Sequence, residues 1–198
     1  VVLIKTDIEG NELWRRIYRT EDQDVRAKGV LECSNGDFML ALSTTEGSSP
    51  EIFYENILMM KIDSTGEILF KKIIGGEEQN LPFKMVRTID GQYAICVADN
   101  TSNILSMMKF SEAGDIIWYK KVISPQFGVP QSMAIFNNGD FVVSGYSGHT
   151  DYHEQVMVWI VSADGELIRQ TKHSSGTIRA LCHDVIVASD GDQILIGD

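Results

Sequence analysis

The sequence predicts an all-β protein assembled from repeats of about fifty residues, each supplying four antiparallel strands. Two recurring phrases and one regularity in their spacing carry this. "KTDIEGNELW" (5–14) returns as "KIDSTGEILF" (61–70), as "KFSEAGDIIW" (109–118) and, more loosely, as "IVSADGELIR" (160–169). Their glycines Gly10, Gly66, Gly114 and Gly165 are 56, 48 and 51 residues apart. A second phrase, "LECSNGDFMLALS", recurs as "VRTIDGQYAICVA", "AIFNNGDFVVSGY" and "VIVASDGDQILIGD", with Gly36, Gly91, Gly139 and Gly191 spaced 55, 48 and 52.

Each phrase is a pair of short apolar runs around a turn that carries NG, DG or DxxG. Such turns suit hairpins, because Gly accepts positive φ and Asp or Asn bonds the nearby backbone. No long stretch shows helical periodicity with caps. Two hairpins per repeat make four strands, a to d, and a four-stranded antiparallel repeat is the blade of a β-propeller. The NG/DG turn joins a to b and the DxxG turn joins c to d. From each DxxG-type Gly to the next NG/DG Gly the gap is 26, 25, 25 and 26 residues, which suits a d–a crossover of fixed span. The reverse gap, 30, 23 and 26, contains the b–c loop, whose length is free to vary.

The chain begins on strand c and ends on strand b. The expected single propeller domain, 1–198, therefore has strands c–d of one blade at 1–18, repeats at about 19–74, 75–122 and 123–173, and strands a–b at 174–198. Two closures are open: a four-bladed ring in which the terminal pairs share one blade, or a section of a six- to eight-bladed propeller. An open section would expose sheet edges and inter-blade faces that aggregate or pair. The chain opens on "VVLIK" without Met or leader, so it is expected to be a mature, cleaved or partial segment.

Within the repeats, Asp7 and Asp63 are expected to accept backbone N–H bonds in the c–d turns, with Ser111 and Ser162 as substitutes. Trp14, Phe70 and Trp118 share a strand-d position where large rings pack between blades. Lys5, Lys61 and Lys109 share a strand-c position, stems packed and amines at the rim. The fourth copy departs, with Ile160 for the Lys and Arg169 for the aromatic. Cys33, Cys96 and Cys182 form neither a CxxC pair nor a disulfide framework and are read as free thiols, Cys33 and Cys96 in apolar strands.

Net charge of −11 and a pI near 4.7 disfavour nucleic acid as a partner, since an acidic surface repels phosphate. No apolar run reaches the ~20 residues of a membrane helix. No G-x-S-x-G, HExxH or phosphate-binding glycine loop occurs. Function is expected on the loops. The first b–c loop, 45–56, holds Glu46, Glu51, Phe53, Tyr54 and Glu55; the third, 148–155, gathers His149, Asp151, Tyr152, His153 and Glu154; the first crossover adds Glu21, Asp22 and Asp24. Glu51, Tyr54, His149, Asp151, Tyr152 and His153 are the candidate ligand-binding residues, because aromatic rings beside carboxylates suit glycan or peptide capture. No cofactor is expected. His149, His153, Asp151 and Glu154 carry the donors that a divalent metal would use, although HxxxH spacing presents one face only on a helix. His173, His183 and Arg179 are read as a local polar cluster.

The pattern K-x-D-x-x-G-x-x-x-W, followed some 25 residues later by x-DG-x-Y-x-apolar, resembles the repeat-rich β-propeller proteins of bacterial cell surfaces and secretomes. The resemblance implies a secreted, cell-surface or periplasmic protein with a binding, adhesive or scaffold role and a protein or glycan partner. "IDSTGEILF" and "TDIEGNELW" are also similar, at lower fidelity, to quinone-cofactor propeller repeats, D-x-x-TG-x-x-x-W. That similarity supplies the alternative, a propeller enzyme such as a quinone-dependent oxidoreductase, beside a polysaccharide lyase or hydrolase. Binding is the expectation placed ahead of catalysis.

Overall fold

A computed structural model of the chain describes residues 1–19, 24–45, 55–75, 80–99, 104–123, 128–147, 155–174 and 180–198. Among these residues every regular element is a strand. The chain runs β1 (Val2–Thr6), β2 (Glu12–Ile17), β3 (Val25–Glu32), β4 (Phe38–Thr44), β5 (Asn56–Ile62), β6 (Ile68–Ile74), β7 (Asn80–Arg87), β8 (Tyr93–Asp99), β9 (Ile104–Phe110), β10 (Ile116–Lys121), β11 (Gly128–Ile135), β12 (Phe141–Ser147), β13 (Val156–Val161), β14 (Leu167–His173), β15 (Cys182–Val187) and β16 (Gln193–Gly197). Strands β3–β6, β7–β10 and β11–β14 form three four-stranded antiparallel sheets in chain order, and β1–β2 and β15–β16 are two-stranded. The architecture is propeller-like. Among the described residues the two terminal pairs are separate sheets, and no strand pairing joins them into a ring.

The turns follow from their side chains. In every c–d turn a Gly takes positive φ, between 75° and 88°. Asp7 accepts from the backbone N–H groups of Glu9 and Asn11, and Asp63 from those of Thr65 and Glu67. Ser111 and Ser162 accept from Asp115 and Glu166 at the same position. The a–b turns repeat one bond pattern: Gly36 N–H donates to the Cys33 carbonyl and Cys33 N–H to Asp37, and Thr88, Phe136 and Ala188 stand in the place of Cys33 in the others.

Strands b and c are apolar at nearly every position because both faces of each central sheet are covered. In β4, Met39 and Ala41 face one way and Leu40 and Leu42 the other, as the two-residue period of a strand requires. Met39, Ala41, Ile57 and Met59 pack on Tyr93, Ile95, Met108 and Phe110 of the next sheet. Cys96 and Met107 pack on Phe141, Val143, Met157 and Trp159 of the sheet after that. Leu40 and Met60 lie against Leu3 and Trp14 of β1–β2, and Val142 and Val158 against Val185 and Leu195 of β15–β16. The core is thus four apolar seams between five sheets. Strand d is the outer edge, and Leu13, Leu69, Ile117 and Ile168 at one shared position are all exposed. Strand a is the inner edge; each copy breaks register once, at Ala27/Gly29, Pro82/Met85, Pro130/Ser132 and Cys182/Asp184.

The aromatic position of strand d wedges between sheets. Trp14 lies over Gly66, Phe70 over Gly114 and Trp118 over Gly165, close enough that a Cβ on each Gly would fall within 2.6–3.4 Å of the neighbouring side chains. The turn glycines therefore serve two needs, positive φ and space for the neighbour's ring. The three cysteines are buried and free.

Two substitutions separate the seams from the outer edge. Phe110→Ala empties a fully buried ring site and is expected to cost about 3–5 kcal/mol. Leu69→Ala, at an exposed strand-d position, is expected to stay within about 0.5 kcal/mol of the parent. Urea denaturation of both variants checks the contrast.

Candidate functional site

The antiparallel order divides each sheet into two ends. One end carries the a–b and c–d turns, alike from sheet to sheet. All segments joining b to c or d to a leave from the other. Glu51, Tyr54, His149, Asp151, Tyr152, His153 and Glu154 all belong to such segments and lie outside the described residues, as do Glu46, Phe53, Glu21, Asp22 and Arg179. The structure does describe the platform from which these segments rise.

That platform is polar where the strands beneath it are apolar. Ser43, Thr44, Asn56, Asn80 and Asp99 are buried at the strand ends. Asn80 donates its backbone N–H to the Glu55 carbonyl at 2.8 Å, and its side-chain oxygen accepts from the Tyr119 hydroxyl at 3.0 Å. Lys121 reaches the buried Asp99 carboxylate at 3.4 Å. Arg26 holds Asp24 at 2.8 Å and Glu55 at 3.3 Å, so the end of the first crossover and the end of the first b–c loop meet at one guanidinium. Asp24 is thereby engaged with a cation. The base of 148–154 is closed reciprocally: Ser147 N–H donates to the Gln155 carbonyl, and Gln155 N–H donates to the Ser147 hydroxyl at 3.0 Å. Gly75 sits so close to Asn56 that a Cβ would fall 2.0 Å from the side-chain oxygen.

Sequence reasoning placed specificity on the loops and missed this polar base. The signal was present as a polar residue ending each apolar b strand, Thr44, Asp99 and Ser147, and as Asn56 and Asn80 starting theirs.

The turn end is organised by charge. Lys61 and Lys109 are more enclosed than rim lysines. Lys61 bridges Asp37 at 3.3 Å and Glu112 at 3.1 Å, joining two sheets, and Lys109 bonds Asp90 at 2.8 Å. Ser34, ahead of Lys61, holds the Glu112 carboxyl below its usual range. Asp90 titrates at about 2, held down by Lys109 first and then by the Thr88 hydroxyl. Burial pushes the Cys96 thiol up to about 12 and also raises Cys33 and Cys182, which argues against thiolate chemistry at any of them. His183 lies 2.7 Å from the terminal residue Asp198, and His173 near Thr171. Among the described residues no three His, Cys, Asp or Glu side chains gather as a metal site requires, and no helix is long and apolar enough to cross a membrane.

The fold and its platform define an all-β repeat protein of propeller-like sheets with one uniform and one variable end. No protein-family model matches the chain, and no curated protein matches it either.

Asp90 gives a pH prediction. Its folded pKa lies below the ordinary 3.8, so its bonds stabilise the fold above that value, and the contribution is lost as pH falls through about 2. Lys109→Met removes the largest cause. The Asp90 carboxyl midpoint, followed by NMR, is expected near 2 in the parent and closer to 3.8 in the variant.

Proposed function

We propose that the chain is a non-enzymatic binding or scaffold module that works outside the cytoplasm, presenting 46–54 and 148–154 to a protein or glycan partner. One observation carries this reading: the two ends of every sheet differ. The turn end repeats the same glycines and the same Asp or Ser bonds, and so has little room for specificity. The loop end joins segments that share no sequence, and anchors them on a hydrogen-bonded base through Arg26, Glu55, Asn80, Ser147 and Gln155. Fixed bases under variable segments are how rigid scaffolds carry recognition. The chemistry of those segments supports the same reading: Tyr54 and Tyr152 offer rings, Glu51 and Asp151 carboxylates, and His149 and His153 donors of adjustable charge. The acidic chain favours a neutral or basic partner over nucleic acid. The extracytoplasmic placement rests on the resemblance of the repeats to those of bacterial surface and secreted propellers.

Replacing 46–54 and 148–154 separately with short Gly-Ser linkers tests the assignment. Both variants are expected to unfold thermally like the parent, and at least one to lose at least tenfold of the signal on glycan and peptide arrays. Retention of full binding by both, or no array ligand for the parent alongside turnover of a polysaccharide or quinone-linked substrate, would overturn the proposal.

A further inference from the structure

The inner strands β3, β7, β11 and β15 lie beside one another in chain order. Each breaks register at one level. The residues there are Lys28, Phe83, Gln131 and His183, each eight residues before its a–b turn glycine, Gly36, Gly91, Gly139 or Gly191. A bulge bends its strand and re-aims the side chain it carries. We propose that the bulges of β3, β7 and β11 frame a binding site for a small organic carboxylate, with Lys28 as its cation, Gln131 as a hydrogen-bond donor and Phe83 as its apolar wall.

Side chains at this level reach across the junctions between sheets. The Lys28 ammonium lies 5.3 Å from the centre of the Phe83 ring in the next sheet. One position on, Lys84 extends past β11 to the Asp184 carboxylate at 3.5 Å, and the Ser132 hydroxyl donates to the same oxygen. A ligand touching both Lys28 and Gln131 crosses the same number of junctions, a reach that the Lys84 and Asp184 side chains cover between them. Lys28, Phe83 and Gln131 are each half-buried, so they are shielded from water while still open to a small molecule.

Charge and unused bonding capacity point to an anion. β3, β7 and β11 hold Arg26, Lys28, Lys84 and Arg87 against one acid, Glu32, in a chain whose net charge is −11. A cleft lined by one sign of charge concentrates ligands of the other. Arg26 is held by Asp24 and Glu55, Lys84 is held by Asp184, and Arg87 ends β7 at the turns. Among the described residues Lys28 has no carboxylate partner, and the Gln131 side chain has no hydrogen bond. A ring face engages the charge of an ammonium and leaves it N–H groups to donate. Gly29 adds room. Lys84, Ser132 and Asp184 hold its place in the other sheets, each with a polar side chain. The Gly29 backbone is outside the left-handed region, and a Cβ there would come no nearer than 3.7 Å to Met85, an ordinary contact. Neither conformation nor packing calls for glycine here; its effect is to leave the place of a side chain unfilled beside Lys28, as strand glycines do where a ligand approaches. The Phe83 ring gives the carbon skeleton of an organic acid a surface that an inorganic anion has no use for.

Titration of the isotope-labelled 198-residue chain with succinate, followed by amide NMR at constant ionic strength, tests the site. Saturable shifts are expected at Lys28, Gly29, Phe83 and Gln131, with inorganic phosphate binding at least tenfold more weakly. Lys28→Met keeps the stem on Phe83 and is expected to weaken succinate at least tenfold, with amide shifts elsewhere unchanged. Lys71→Met, at an exposed position of strand d, is expected to bind like the parent. Asp184→Asn removes the carboxylate that occupies Lys84 and is expected to tighten succinate at least threefold, which a purely structural cluster would not do. Absence of saturable shifts, phosphate binding as tightly as succinate, parent-like binding by Lys28→Met, or an equal loss in Lys71→Met would overturn the proposal.

Discussion

Every sheet of the molecule depends on having an apolar sheet face beside it. Strands b and c carry Met, Ile, Leu and Val on both sides of the pleat, so a single sheet of this composition would leave two greasy surfaces in water. Burying such side chains contributes roughly 1.5–3 kcal/mol each. The seam through Met59, Ile95 and Phe110 and the one through Cys96, Val143 and Trp159 bury them fully. The turns, bulges and ion pairs then serve to hold neighbouring sheets at the distance and angle that keep these seams closed.

Much of this was legible in the sequence because the repeat exposes which positions must be alike. Gly10, Gly66, Gly114 and Gly165 declared the c–d turns, and Trp14, Phe70 and Trp118 declared the wedge, since each needs one residue type at one place. The partners of the lysines were not legible. Lys61 draws one acid from its own sheet and another from the next, and that neighbourhood exists only once the sheets are stacked. The polar base under the loops was hidden for a related reason. Asn56, Asn80 and Asp99 read as ordinary strand ends until the topology brought those ends to one side. Loop residues such as His149 and Tyr152 have no repeated counterpart, so no periodic constraint in the chain speaks to their placement.

The contrast between the ends of the sheets also explains how a stable scaffold can carry changing surfaces. Turn residues are tied to the packing: a side chain on Gly114 would strike the Phe70 ring, and the Asp63 carboxylate is spent on three local bonds. At the other end the sheets close on backbone bonds, Ser147 with Gln155 and Asn80 with Glu55, at the points where the connecting segments begin.

The inner strands hold a further consequence. Pro82 and Pro130 occupy strand a of two successive sheets, beside the point where each strand breaks register. A proline has no N–H to offer, and an irregular backbone cannot present an unbroken row of donors and acceptors. The central edges of these sheets are therefore poor templates for a stray extended chain. The feature that shapes each of these inner strands thus also leaves the middle of the molecule ill suited to templated strand pairing.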